Sequence, residues 1–377
     1  MTIAITNLQS RTIEWLRYPL MVLIVVIHTD TALLGAMPVG DGLSPILYAS
    51  LRTVIRVAVP LFFIFSGYWF FRLPERFSMD DYRIKLAKRV RSLLVPYLIW
   101  NFFAWALQLI VVVLQGHADW IPPTVFHPDR LLDIFVGMGD GNQGMPKAFQ
   151  LWFLRDLIVL CLFSPALYLL LRGRHAWVLI IFAMLYLMPW PGDWPAVFMR
   201  FPSALLFFGI GAWFGLHKAD MVDAARHVPL WLSLTVPSLL MAWHVWLTLH
   251  GSPTATSVAE KLFSIAATVP TLRCAAALVE RRNLCPTRWL AGSAFLLFAI
   301  HPLIINYLLV EPLAGRLSPT VANFWLVLCA EVALPMALCA AIHVVAMRFM
   351  PRTAALLTGG RATSNIKEKE TTQQHHG

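Results

Sequence analysis

Apolar positions run along this chain in long blocks separated by short polar stretches. A block of about 20 predominantly apolar residues is long enough to cross a bilayer as a helix. The pattern predicts about ten such helices, over residues 18–37, 53–71, 92–115, 150–171, 176–190, 198–216, 228–250, 258–280, 289–310 and 319–347. The fifth is short and runs into the Pro-rich "MPWPGDWP". The implied fold class is all-α, a polytopic integral membrane helix bundle. It divides into an N-terminal segment 1–17, one transmembrane domain 18–350, and a polar, disordered tail 351–377. Between the blocks, "RLPERFSMDDYRIKLAKRVR" (72–91) is strongly basic. The stretch 116–149, with "GMGDGNQGMP", reads as an irregular loop over the outer mouth.

Composition agrees: 58% of residues are hydrophobic, 13% are charged and the mean hydropathy is +0.66. A soluble domain carries about a quarter charged residues. The net charge of +10 invites a nucleic-acid reading, but its distribution argues against one. With the N-terminus inside, 21 of the 30 Lys and Arg fall on the cytoplasmic side and 7 on the other. Arg155 and Arg273 lie within helices and complete the set. That excess predicts both termini in the cytoplasm. Arg11 and Arg17 ahead of an apolar run also fit a signal peptide. Nine further spans and an embedded "HTD" favour retention as a membrane helix. The five cysteines show neither a disulfide framework nor a metal-type spacing.

Ionisable side chains inside a bilayer cost about 2.5 kcal/mol or more each, so each needs a reason. His28 lies roughly 16 Å along the first helix from Arg17, near mid-bilayer. It either hydrogen-bonds a neighbouring helix or acts as a general base. His301, in "FLLFAIHP", sits at a similar distance from the cytoplasmic end of the ninth span. It either shares a polar cavity with His28 or answers the backbone break made by Pro302. Lys85, Lys88, Arg89 and Arg91 crowd the cytoplasmic end of the third span. Singly they anchor topology; together they can hold a polyphosphate. Arg155 and Asp156, being adjacent on a helix, are expected to face different directions and to need separate partners. Ser66-Gly67 permits close helix approach.

Taken together these stretches resemble the acyltransferase-3 family of bacterial integral membrane proteins. Arg17 and His28 reproduce a basic-x10-His spacing, and "VPLFFIFSGYWFF" (59–71) is similar to the family's Phe-Phe-x-x-Ser-Gly helix. "KRVRSLLVPY" (88–97) is similar to an Arg-x-x-Arg stretch before Pro-Tyr, with Lys88 in the first place. "SAFLLFAIHPLI" (293–304) is similar to the late Ser…His-x-Leu helix, and "LWFLRDLIVLCLFSP" (151–165) is typical of members that decorate surface glycans. The resemblance implies transfer of an acyl group, most often acetyl, from acyl-CoA as donor substrate to a sugar hydroxyl, with no permanently bound cofactor. It implies a multi-pass protein of the bacterial cytoplasmic (inner) membrane. Under it His28 is the catalytic base, and Arg17, Lys88, Arg89 and Arg91 hold the donor's phosphates. Ser66, Trp152, Arg155 and His301 are candidates for lining the cavity. The expected acceptor is a lipid-linked oligosaccharide or exopolysaccharide, on the expectation that transfer finishes within the bundle. The alternatives are a glycan-lipid or small-solute transporter, to which broken helices and intramembrane charge suit equally well, and a membrane sensor.

Overall fold

The computed structural model describes residues 7–29, 43–72, 78–117, 123–138, 144–173, 176–189, 196–251, 253–284, 288–310, 316–318 and 320–360. Among these every regular element is a helix, and helix is found in each of the ten apolar segments. Five helices are long and apolar enough to cross a membrane: Pro45–Phe71, Met79–Leu114, Leu230–His250, Pro253–Arg281 and Val321–Phe349. A sixth is formed if Phe149–Leu162 and Ser164–Leu171, bent by 67° at their junction, count as one span. Trp177–Leu187, Arg200–Leu216 and Gly292–Ile304 are shorter apolar helices. The chain is a multi-pass membrane protein. Large apolar side chains such as Phe102, Ile110, Leu114, Trp231, Trp246, Leu326 and Phe349 stand exposed along its helices. On a soluble monomer such patches would be an aggregation hazard; here they are the surface that lipid covers.

The helices fall into two compact units. The first comprises residues 1–72, 171–189 and 207–342. It holds α1 (Asn7–Ile27) and α2 (Leu43–Val54), which runs through a 3-10 turn into α3 (Ala58–Phe71), together with most of the later helices. α1 begins well before residue 18, because "NLQSRTIEWLR" is itself amphipathic. Its Ile13, Leu16, Leu20 and Ile24 are buried at helical spacing. Gln9 is buried yet satisfied, since its amide donates to the Tyr68 hydroxyl (2.7 Å) and accepts from the Met221 N–H. Arg11 donates to the Asn283 side chain and the Leu284 carbonyl. At its other end α1 stops at Ile27, ten residues short of the predicted boundary. The Thr29 hydroxyl takes the Val26 carbonyl, and His28 and Thr29 N–H groups reach back only three residues, to Val25 and Val26. Such tight bonds close a helix end. Asp30 lies outside the described residues.

The close approach expected at Ser66-Gly67 is present. α3 crosses the later part of α10 (Ala196–Leu216) with no room for a side chain. A Cβ on Gly67 would fall on the Phe208 carbonyl, and one on Gly211 on the Ile64 carbonyl. One on Gly215 would lie 2.6 Å from the Tyr68 carbonyl oxygen. Backbone cannot yield as a flexible side chain can. Gly211→Ala is therefore expected to destabilise the protein by about 1–3 kcal/mol. The comparison is thermal unfolding in detergent against Gly173→Ala, where nothing lies within 4 Å and no loss is expected.

The second unit comprises residues 73–170, 190–206 and 343–377. The basic stretch forms α4 (Met79–Arg89), capped by Ser78, whose side chain accepts from Asp81 N–H, with Asp80 and Asp81 in its first turn. A π-helical turn, Val90–Leu94, carries it into α5 (Val95–Leu114), and the Val95 N–H reaches five residues back to Val90. Pro96 supplies no N–H for the Ser92 carbonyl, and widening the preceding turn accommodates it. The stretch expected as an irregular loop contains α6 (Pro128–Val136), started by Pro128 and ended by Gly137 at φ 73°. α7 (Trp152–Leu162) and α8 (Ser164–Leu171) form the bent pair. From residue 351 the expected polar tail starts with a helix, Pro351–Leu357, whose Leu357 carbonyl accepts from the Trp100 indole. Residues 361–377 lie outside the description.

Candidate active site

The remaining helices of the first unit include α9 (Trp177–Leu187), α11 (Met221–His227), α12 (Leu230–His250), α13 (Pro253–Ala266), α14 (Thr268–Arg281) and α15 (Arg288–Ile304). α1 packs against α3, α14 and α15. That packing brings together two side chains 273 residues apart, His28 and His301. The His301 Nε2 lies 2.9 Å from the His28 Nδ1, and the ring centroids are 4.9 Å apart at 42°. His28 occupies the turn just beyond the end of α1, rather than the middle of a longer helix. His301 is wholly buried on α15, one residue before Pro302. Its other ring nitrogen meets the Leu297 carbonyl at 2.8 Å, one turn back. One ring nitrogen of His301 thus bonds the backbone of α15 and the other meets His28; the carbonyl that Pro302 leaves without its helical N–H is the next one along, that of Phe298.

Cationic and polar groups gather at the same end of α1. Arg52, on α2, donates from Nη1 to the Ile27 carbonyl at 2.5 Å. That carbonyl belongs to the last turn of α1 and so has no partner within its helix. One turn on, Arg56 pairs with Glu260 of α13 at 3.4 Å. The His244 Nε2 is 3.9 Å from Glu260, and the His244 Nδ1 meets the buried Thr53 hydroxyl at 2.8 Å. Arg56 and His244 are polar positions within the apolar segments 53–71 and 228–250, and Arg52 lies one residue outside the first of these. Its signal was the Arg52–Arg56 spacing of four residues, which puts two guanidinium groups on one helix face.

The other candidates are distributed over the fold. Arg17 is exposed on α1, below His28. Ser66 is half-buried on α3. In the second unit Lys88 and Arg91 are exposed and Arg89 half-buried, around the π-helical turn that leads into α5. Trp152 is half-buried at the start of α7. Arg155 departs from expectation, because it pairs with its own neighbour. Its Nε donates to Asp156 at 3.0 Å, while Nη1 donates to the carbonyls of Val136 (2.9 Å) and Gly144 (2.7 Å). The guanidinium is long enough to fold back along the helix onto the adjacent carboxylate. Arg273, within α14, donates to the Arg226 and Val228 carbonyls.

An aprotic helix bundle that holds an oriented imidazole beside guanidinium groups is equipped to move a proton and stabilise an anion. The comparison with known families places this chemistry. The chain belongs to the acyltransferase-3 family, whose profile, described as an acyltransferase domain, matches residues 11–344. That span contains His28, His301, Arg52 and the basic stretch alike. The protein is thus a membrane acyltransferase. Among curated proteins it is similar to the succinoglycan biosynthesis protein ExoH of Rhizobium meliloti (strain 1021), with 26% identity over 318 residues, covering 82% of this chain and 80% of that protein. No solved structure matches it.

Proposed function

We propose that this protein transfers an acetyl or other short acyl group from acyl-CoA to a sugar hydroxyl of an exopolysaccharide, on a lipid-linked intermediate, in the bacterial inner membrane with both termini cytoplasmic. The observation that carries this reading is the His28–His301 contact within a family of acyltransferases. The polysaccharide acceptor is supported by similarity to a succinoglycan biosynthesis protein.

In the proposed reaction His28 takes the proton of the acceptor hydroxyl as its oxygen attacks the thioester carbonyl carbon. The tetrahedral intermediate carries a negative oxygen. Arg52, bonded to the carbonyl just before His28, supplies a guanidinium at that helix end to offset it. The C–S bond then breaks, the leaving thiolate takes the proton back from His28, and an ester and free CoA thiol depart. Arg17 lies roughly 16 Å along α1 from His28, a separation suited to an extended carrier arm between phosphate and thioester. Lys88, Arg89 and Arg91 supply further positive charge for phosphate oxygens. The test is the purified protein in nanodiscs with acetyl-CoA and a lipid-linked glycan fraction, following thiol release and acyl incorporation. Thiol release that depends on acceptor supports the reading; no thioester consumption with any glycan fraction defeats it.

The basic cluster has its own expected result. Removing Lys88 and Arg91 together, as Lys88→Ala/Arg91→Ala, should raise the KM for acetyl-CoA by about 10²–10⁴-fold with little change in kcat, since each of the two charge-assisted bonds contributes roughly 1.5–3 kcal/mol. S-acetyl-pantetheine, which lacks the phosphates, should be used equally well by parent and variant. A variant impaired with both donors would show that these residues do something other than hold phosphate.

A further inference from the structure

Three contacts at the two histidines permit one proton arrangement in which each of the three is a hydrogen bond. The Leu297 carbonyl can only accept, so the His301 Nδ1 must carry a proton to bond it. In a neutral ring this leaves the lone pair on the His301 Nε2, which faces the His28 Nδ1 at 2.9 Å. The His28 Nδ1 must then carry the proton of that contact. The same N–H faces the Ile24 carbonyl at 2.9 Å, another group that can only accept. The reverse arrangement, with a proton on the His301 Nε2, would set lone pairs against the carbonyls of both Leu297 and Ile24. Two repulsive contacts would replace two bonds.

We propose that His301 is a positioning residue that accepts the Nδ1–H of His28 and thereby fixes His28 as the tautomer whose Nε2 takes the substrate proton. This rests on the reading of His28 as the base. In the familiar serine–histidine–aspartate arrangement a carboxylate plays the corresponding part. Here the acceptor is a neutral imidazole, itself anchored by the backbone of α15. When His28 gains a proton its Nδ1–H becomes a stronger donor, and the bond to His301 tightens as the imidazolium forms.

The test combines spectroscopy and kinetics on the full chain in nanodiscs. In 15N-histidine-labelled protein, the His28 resonances are those lost in His28→Gln. The expected spectrum has a protonated Nδ1 and an unprotonated Nε2 on both rings, with a 15N–15N coupling across the hydrogen bond between them. A proton on the Nε2 of His28, or no coupling, overturns the proposal whatever the enzyme acts on. Kinetically, folded His301→Phe should lose on the order of 10²-fold in kcat with KM little changed. His301→Gln, whose Oε1 can accept the same N–H, should stay within about 10-fold of the parent. A role in packing alone would not give rescue by glutamine. Parent kcat in folded His301→Phe, or equal loss in both variants, defeats the role of His301 alone. Turnover that survives in His28→Ala defeats the base reading and this proposal together. If His301→Phe does not fold, the glutamine variant and the parent spectrum still decide.

Discussion

Replacing His28 by alanine is expected to lower acceptor-dependent thioester turnover by roughly 10²–10⁴-fold, the contribution of a positioned general base. The fold should survive, for a local reason. His28 lies in the turn after α1 has ended, so the substitution interrupts no intrahelical ladder. It removes the bonds to the Ile24 carbonyl and to the His301 ring, neutral contacts of about 1 kcal/mol each. The expected signature is an assembled protein with near-parent melting, unchanged KM for acyl-CoA and collapsed kcat. Asparagine offers a sharper version. In His28→Asn the amide can imitate an imidazole Nδ1–H toward Ile24 and His301, but nothing stands where Nε2 did. It should be as inactive as alanine while closer to parent stability. An alanine variant that releases thiol at the parent rate would remove His28 from the chemistry and leave it a hydrogen-bonded turn residue.

Helix content was legible in the sequence because composition alone decides whether a segment must bury its backbone polar groups in a bilayer. Helix ends were not legible. Residues 32–37 return to apolar character after "HTDT" (28–31), so the block as a whole reads as one span to residue 37, whereas a Thr29 side-chain bond and a tightened turn end α1 at Ile27. The stretch 116–149 shows the converse. Its Gly, Pro and Asp content suggests loop throughout, but a proline start and a glycine end bracket nine residues of helix between them. For the site, the two histidines could be read as lying at matching depth, and the structure brings their rings into contact. What no local pattern contained was the order of helices around α1, which alone decides that α15 supplies its partner. Arg52 lies at a predicted span end, where an arginine reads as an interfacial anchor. Only the position of the Ile27 carbonyl identifies its partner.

Arg155 is expected to be a stabilising residue of the second unit, with a large cost of removal. Its side chain is about nine-tenths buried, and that of Asp156 is buried almost completely. Removing one member of such a pair leaves a buried charge uncompensated, at a cost of about 3–5 kcal/mol. Arg155→Met should accordingly lower the apparent melting temperature in detergent more than any of the glycine substitutions. The double variant Arg155→Met/Asp156→Leu separates two contributions. It removes the stranded carboxylate, so part of the loss should return. The carbonyls of Val136 and Gly144 still lose a charged donor, so the rest should remain. Lysine is expected to behave poorly here as well, since a point charge cannot reach one carboxylate and two carbonyls as a planar fork does. Val136 ends α6 and Gly144 precedes α7, so Arg155 ties both of these carbonyls to the first turns of α7. Melting of Arg155→Met at the parent temperature would contradict this role. Loss of turnover in a variant still folded at the assay temperature would return Arg155 to the residues that line the substrate path.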